Sequence, residues 1–266
     1  MNKINTIVRK EWAEVFKNRM VIFTVAFLPL LMTALPLGII YGTRSSSSGS
    51  PANTSSELSS EATQSMCPRG LSSGDCMQVF LISEFMMLFM LIPVAIPVTI
   101  AAYSIVGEKT TRSLEPLLAT PITTEELLIG KSLAAVIPAV VATYGAFGIF
   151  ALGSWIIVAN KTLLTALLDA RWLIAIFIVG PLMAIMAVSF ALMISSRVND
   201  PRVAEQVSMV VIVPVLAGFF GQVAGLFVLN KEIISIVALI MLVLDAMLVY
   251  LTTRVFQREQ ILTRWK

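Results

Sequence analysis

The sequence predicts an all-α membrane protein with six transmembrane helices, an N-terminal amphipathic interfacial helix and a polar, helix-forming segment between spans two and three. Three observations predict this class. Hydrophobic residues make up 57% of the 266 residues and charged residues only 13%, whereas soluble domains carry about 25% charged residues. The mean hydropathy is +0.88. Six apolar stretches also reach the length of about 20 residues that a helix needs to cross the hydrocarbon core, where backbone groups must pair internally.

Residues 1–19 predict an amphipathic helix that lies on the membrane surface. Its apolar face comprises Ile4, Ile7, Val8, Trp12, Val15 and Phe16. Basic side chains are spread over the rest of the helix, so it suits the headgroup level of the inner leaflet, where anionic lipids attract them. A cytosolic helix packed on a partner protein would show the same pattern.

Residues 20–266 form the six-span domain, with predicted spans at 20–41, 79–103, 133–159, 172–194, 207–229 and 233–253. Of the 19 lysines and arginines, 14 lie in the N-terminus, the 104–131 segment, the 195–206 loop and the C-terminal tail. The alternate loops hold the other five. The positive-inside rule therefore predicts a multi-pass protein of the cell membrane with both termini in the cytoplasm.

Residues 43–77 form the first loop outside the membrane, which is rich in serine and poor in apolar residues. Its composition favours a loosely folded chain. Cys67 and Cys76, the only cysteines, flank a turn-rich run on the oxidising side. This spacing predicts a disulfide, and two free thiols are the alternative. No metal site is expected, because two cysteines lack further ligands and the chain has no histidine.

Residues 104–131 form a polar segment that must face water between two spans. Ser113 can cap a short helix whose Leu114, Leu117 and Leu118 share one face, and Thr120-Pro121 ends it. Four charged residues lie in or just before this helix, namely Glu108, Lys109, Arg112 and Glu115. The leucines suit a groove on a partner protein, and the charges would set the register. An ordinary polar loop that only joins two spans is the alternative.

A second helix start follows directly. Thr123 and Glu126 form a capping-box pattern, and Ile122 and Leu127 have hydrophobic-staple spacing. The third span is therefore expected to begin in the cytoplasm as an extended helix. Lys131 is expected to mark the inner membrane boundary of that span.

Two acids fall in or near the membrane. Asp245 lies about midway along the sixth span, where an unpaired charge costs about 2.5 to 3.5 kcal/mol on insertion scales. It is therefore a candidate for the substrate pathway, or it lies nearer the cytoplasmic end than this placement. Glu84, early in the second span, either borders an exit gate or extends its carboxylate to the outer surface.

Prolines fall inside five of the six spans, at Pro29, Pro36, Pro93, Pro97, Pro138, Pro181 and Pro214. Each removes a backbone hydrogen bond and can bend its helix, as a bundle that changes shape would need. Proline is also frequent in membrane helices in general.

The order of these elements, with Gly-Glu-Lys-x-x-x-Ser-Leu-Glu-x-Leu-Leu-x-Thr-Pro and then Gly-Lys, resembles permease subunits of type-2 ABC exporters, the ABC-2 type transporters. Within them it looks like the sodium-efflux and multidrug-type branch. The matching residues are Gly107, Glu108, Lys109, Ser113, Leu114, Glu115, Leu117, Leu118, Thr120, Pro121, Gly130 and Lys131.

The resemblance implies that residues 104–131 carry a coupling helix that sits in a cleft of a separate ATPase subunit. It also implies that two permeases, identical or paralogous, form the transport pathway as a dimer. ATP and Mg would then bind the partner. Gly130-Lys131-Ser132 imitates the end of a phosphate-binding loop, but Glu125 stands where the first glycine is needed, so this chain is expected to bind no cofactor.

The leading function is therefore the non-catalytic permease subunit of an ATP-driven exporter, without nucleic-acid partners. The alternative is an ATP-independent, ion-coupled secondary transporter that uses Asp245. An intramembrane enzyme is disfavoured, because one central aspartate cannot make an aspartyl pair and the absence of histidine excludes the His-based zinc and nucleophile sites.

Overall fold

A computed structural model of the protein describes residues 3–17, 19–46, 73–110, 123–157, 169–227 and 229–255. Within these ranges the chain is helical and contains no strand. The helices are α1 Lys3–Val15, α2 Arg19–Ser46, α3 Ser73–Phe89, α4 Ile92–Thr110, α5 Thr124–Ile157, α6 Ala170–Ile174, α7 Gly180–Arg197, α8 Pro201–Ser208, α9 Val213–Val223 and α10 Lys231–Val255.

Six stretches of the described chain are long and apolar enough to cross a membrane, which confirms the predicted all-α, six-span class. They are Val21–Gly42, Val79–Ser104, Thr124–Ile157, Ala170–Arg197, Pro201–Val223 and Lys231–Arg254. The end of the bundle that carries α1, the end of α4 and the start of α5 is called the N-side, and the opposite end the far side.

Three spans are interrupted where a proline follows. The second span breaks at Met90–Leu91, ahead of Pro93. The fourth contains a π-helical turn, Ala175–Val179, ahead of Pro181, and the fifth a 3-10 turn, Met209–Ile212, ahead of Pro214. The missing proline N–H removes one bond of the α-helical ladder, so the preceding turn takes another pattern. Helices α2, α4 and α5 continue through their internal prolines.

The second span forms the centre of the bundle. Its most apolar window is 72% buried, against 17% for those of the first and sixth spans. Helix α4 packs against α5, α7 and α8. The ring of Phe89, the last residue of α3, lies 5.4 Å from that of Phe150 in α5. The first and sixth spans therefore present most of their apolar surface outward, as lipid-facing helices do.

The fifth span ends in a Schellman motif. The N–H of Leu226 donates to the carbonyl of Gly221, and the N–H of Gly225 donates to the carbonyl of Gln222. Gly225 has φ 71°, a left-handed conformation that glycine adopts without steric penalty. This cap fixes where α9 stops, one residue after Gln222.

Two predictions concern parts of the chain outside the described residues. Cys67 lies outside them, and nothing is described of the side chain of Cys76 in α3, so their disulfide stays a prediction. Ile122, the first residue of the predicted hydrophobic staple, also lies outside them.

Candidate coupling site

A buried polar cluster joins three helices at the N-side. Glu11 of α1 and Lys131 of α5 form an ion pair, with 2.8 Å between Oε1 and Nζ and only 2–3% of either side chain exposed. Ser104, near the end of α4, lies between them and donates from Oγ to Glu11 Oε2 at 2.6 Å. We call Glu11, Ser104 and Lys131 the N-side cluster.

Every charged group of the N-side cluster is hydrogen-bonded. The Lys131 ammonium donates to Glu11 Oε1, to Ser104 Oγ at 2.8 Å and to the Ser104 carbonyl at 3.4 Å. Each Glu11 oxygen therefore accepts one hydrogen bond within the cluster. Buried charges are tolerated only when they are paired and hydrogen-bonded in this way. Removing any one member leaves a buried polar group without its partner.

The sequence brings α1 and α5 close together beside this cluster. Residue 130 has to be small for this close approach, because a Cβ there would lie only 2.7 Å from Ile7 Cγ2, and glycine has none. Trp12 donates from its indole Nε1 to the carbonyl of Ala134 at 2.9 Å, and Lys3 pairs with Glu126 at 3.3 Å on the surface. Helix α1 is thus attached to α5 along about three turns of α1.

The start of α5 is set by a capping box. The Thr123 backbone N–H donates to Glu126 Oε2 at 2.9 Å, and the Glu126 N–H donates to Thr123 Oγ1 at 3.2 Å. This confirms the predicted pair and the early start of the third span at Thr124. At 1.5 Å per residue, the 34-residue helix measures about 50 Å and is longer than a hydrocarbon core of about 30 Å.

The predicted coupling residues fall between the two helix ends that the N-side cluster holds. Gly107 lies in the last turn of α4, where Glu108 and Lys109 belong to the helix but their side chains are not described. The remaining ones lie outside the described residues, namely Arg112, Ser113, Leu114, Glu115, Leu117, Leu118, Thr120 and Pro121. The described residues therefore include the two helix ends that flank this segment, but not its leucines.

The expected position of Lys131 at the inner membrane boundary stays a prediction. Its side chain points into the helix packing and pairs with Glu11, which sequence reasoning did not select. The sequence did contain a signal that Glu11 is buried. It lies four residues after Ile7 and four before Val15, which places it on the apolar face of α1. Phe16, expected on that face, follows the last residue of α1 and is 37% exposed.

Glu84 is buried in the bundle and does not extend to the surface. Gln222 of α9 donates from Nε2 to Glu84 Oε1 at 2.9 Å, and the two residues are 6% and 1% exposed. Because α3 and α9 belong to the second and fifth spans, this hydrogen bond joins these spans in their far-side halves. Gln222 was not predicted as a site residue.

Asp245 is buried at 6% exposure along the seam of α10 that also contains Ile234, Met241 and Thr252. Helix α10 packs against α7 and the π-helical turn. Thr252 donates to the Ser189 carbonyl at 3.4 Å, which sets the register of α10 against α7. Among the described residues, neither Asp245 oxygen has a hydrogen-bond partner.

Glu205 of α8, an acid in the fifth span, was also missed. Thr99 of α4 donates from Oγ1 to Glu205 Oε1 at 2.8 Å and to the Ala95 carbonyl at 3.1 Å. Within the described ranges, no three His, Cys, Asp or Glu side chains lie close enough together to hold a metal ion. Among the described residues, no hydrogen bond joins Glu84, Asp245 and the N-side cluster to one another.

Comparison with known families agrees with this architecture. The family model described as ABC-2 family transporter protein matches residues 5–252, nearly the whole chain. No curated protein matches the chain closely enough to add a named relative. With six membrane-spanning helices and this match, the chain belongs to the ABC-2 family of transporters, as a membrane permease.

Proposed function

We propose that this chain is the permease subunit of an ATP-driven exporter and that residues 111–122 dock on a separate nucleotide-binding subunit. ATP and Mg bind that partner, and this chain contributes no catalytic residue. Movement of the docked segment opens the bundle toward the outside and releases the substrate. The family match supports the permease role over nearly the whole chain.

The N-side cluster is the observation that carries this proposal. Ser104 precedes the segment by seven residues and Lys131 follows it by nine, and both are hydrogen-bonded to Glu11. A force applied to the segment therefore acts on α1, α4 and α5 as one unit rather than on a free loop. A stiff connection of this kind is what a two-state switch driven by a partner requires.

We further propose the arrangement of the complete transporter. Two permeases, identical or paralogous, pair in the cell membrane with their termini in the cytoplasm, as the distribution of lysine and arginine favours. The motif between Gly107 and Pro121 favours the sodium-efflux and multidrug-type branch of the family. The lipid bilayer surrounds the first and sixth spans, which are the least buried.

Co-purification tests docking. The chain is expressed with the ATPase encoded beside it, purified through a tag on the chain, and the bound ATPase is quantified. Leu117→Asp should lower the bound ATPase about tenfold or more, because a charge would enter an apolar contact. Ala119→Asp is the matched control, since it adds the same charge on the opposite face of the predicted helix and should leave binding unchanged. Equal binding by both variants contradicts docking through the leucines.

The second candidate function is an ion-coupled carrier that works without ATP. The observation in its favour is Asp245, whose two buried oxygens lack hydrogen-bond partners among the described residues. Vesicles that contain only this chain and an ion gradient test it. Uphill transport that Asp245→Asn abolishes would establish this function and contradict the ATP-driven one.

A further inference from the structure

The Glu84–Gln222 pair contains two oxygens that nothing in the described structure satisfies. Gln222 uses its amide N–H to bond Glu84 Oε1 at 2.9 Å. Glu84 Oε2 and Gln222 Oε1 are both buried, and neither has a hydrogen-bond partner among the described residues. Buried polar atoms in native proteins are nearly always paired, so two adjacent side chains with one unpaired acceptor each call for a third group.

The two side chains do not satisfy each other. A protonated Glu84 would complete an acid–amide ring by donating from Oε2 to Gln222 Oε1, but no such bond is formed. Gln222 Oε1 is open as an acceptor, and so is Glu84 Oε2 when the carboxyl group is ionised, so a hydrogen-bond donor would complete the site. A carboxylate favours a positively charged donor over a neutral one, because charge-assisted hydrogen bonds are about twice as strong.

The number of open oxygens at this pair distinguishes a metal ion from an ammonium group as the bound cation. Hard metal ions such as Ca²⁺ and Mg²⁺ take about six or more oxygen ligands, whereas this pair offers two open side-chain oxygens. A primary ammonium carries three N–H donors and one charge, so two acceptors, one of them a carboxylate oxygen, meet most of its needs. The pair therefore fits an ammonium group better than a bare metal ion.

Two apolar side chains contact α9 within one turn of Gln222. A Cβ at Gly218 would lie 2.5 Å from Met87 Cε, and a Cβ at Gly221 would lie 2.7 Å from the Phe227 ring. A thioether and an aromatic ring thus approach α9 at Gly218 and Gly221, within the turn that ends with Gln222. An aromatic ring and a thioether suit the hydrocarbon part of an amine, and the ring face also attracts the cation.

We propose that Glu84 and Gln222 form a binding site for the ammonium group of an amphipathic amine, which is the class of substrate that this permease carries. The two open oxygens receive the ammonium hydrogens, and Met87 and Phe227 contact the hydrocarbon. The proposal rests on the export function, because it assigns the site to the transported molecule.

Binding to the purified full-length chain in lipid nanodiscs tests the proposal. The probe is 4-phenylbutylamine, and its neutral analogue 4-phenylbutanol is the ligand control, both measured by titration calorimetry. Glu84→Gln, which keeps the size of the side chain, should weaken amine binding about tenfold or more through loss of a charge-assisted hydrogen bond. Gln222→Met, which removes the other open acceptor, should weaken it as well. Glu205→Gln is the matched control at an acid whose oxygen already accepts a hydrogen bond from Thr99, and it should bind as the parent chain does.

Three results would overturn the proposal. The first is equal amine binding by Glu84→Gln and the parent chain. The second is binding of the alcohol as tight as that of the amine, and the third is a Glu84-dependent heat on adding NaCl or MgCl₂ alone. Size-exclusion elution and helical circular dichroism confirm that each variant is folded. Because the measurement needs no ATPase, failure of the amine to bind is distinguishable from failure of the ATPase to co-purify.

Discussion

The Lys131 ammonium lies 2.8 Å from Glu11 Oε1, and together with Ser104 this pair ties α1 to both ends of the segment that joins the second and third spans. The two residues are 120 positions apart in the chain. Because the contact is buried, it is a property of the packed bundle and not a surface ion pair that salt would screen.

Breaking this pair from one side should destabilise the packing of α1. Glu11→Leu leaves a buried ammonium without its carboxylate, and the loss should be about 3–5 kcal/mol. The double variant Glu11→Leu/Lys131→Met should recover much of it, since apolar replacements of a buried ion pair are often near neutral. Thermal unfolding in detergent and hydrogen exchange of α1 measure both effects.

The exposed pair Lys10–Glu14 is the control for this cycle, with 3.6 Å between its charged atoms. Glu14→Gln should change stability by no more than about 0.5 kcal/mol, as for other exposed pairs four residues apart on a helix. Similar losses for Glu11→Leu and Glu14→Gln would contradict the importance assigned to the buried pair.

Alanine substitutions at two glycines of α5 should act in opposite directions. Gly130→Ala places a Cβ 2.7 Å from Ile7 and should cost about 1–3 kcal/mol through overpacking. Gly145→Ala meets nothing within 4 Å and should stabilise the helix by about 0.5–1 kcal/mol. Thermal unfolding measures both, and Ile7→Ala should suppress the loss at Gly130. A stabilising Gly130→Ala would refute the close approach of α1.

Loss of the capping box should loosen the first turn of α5. Thr123→Ala removes the side-chain acceptor of the Glu126 N–H, for which the usual cost is about 1 kcal/mol. Hydrogen exchange should rise at the amides that follow Thr124 and stay unchanged in the middle of α5. Thr124→Ala, one residue further on, is the matched control. Faster exchange along the whole helix would instead indicate global destabilisation.

The Tyr144 hydroxyl should compensate for the backbone hydrogen bond that is missing at Pro181 in the fourth span. An N–H at position 181 would bond the Phe177 carbonyl in an α-helix, but Pro181 has none, and the Tyr144 hydroxyl donates to that carbonyl at 3.2 Å. Tyr144→Phe should therefore cost about 0.5–1.5 kcal/mol in the free energy of unfolding. The same change made beside Pro181→Ala should cost less. Equal costs in the two backgrounds would show that the bond does not depend on the proline.

The capping box could be predicted because its two residues are three positions apart and interact within one turn of helix. The six spans were predictable for a similar reason, since each is a local run of apolar residues. The Glu11–Lys131 and Glu84–Gln222 contacts were not, because they join residues more than 100 positions apart and depend on which helix faces pack together. The effect of the prolines was not predictable either, because the sequence alone does not distinguish spans that proline interrupts from spans that continue as α-helix.

The buried ion pair also bears on how the protein is assembled. Residue 11 is synthesised before residue 131, so the Glu11 carboxylate has no Lys131 to pair with until the third span has been made. The contacts that hold α1 against α5 therefore cannot form before that point. The Glu11–Lys131 pair thus becomes possible only after the first half of the protein has been made, and it joins the start of the chain to the third span.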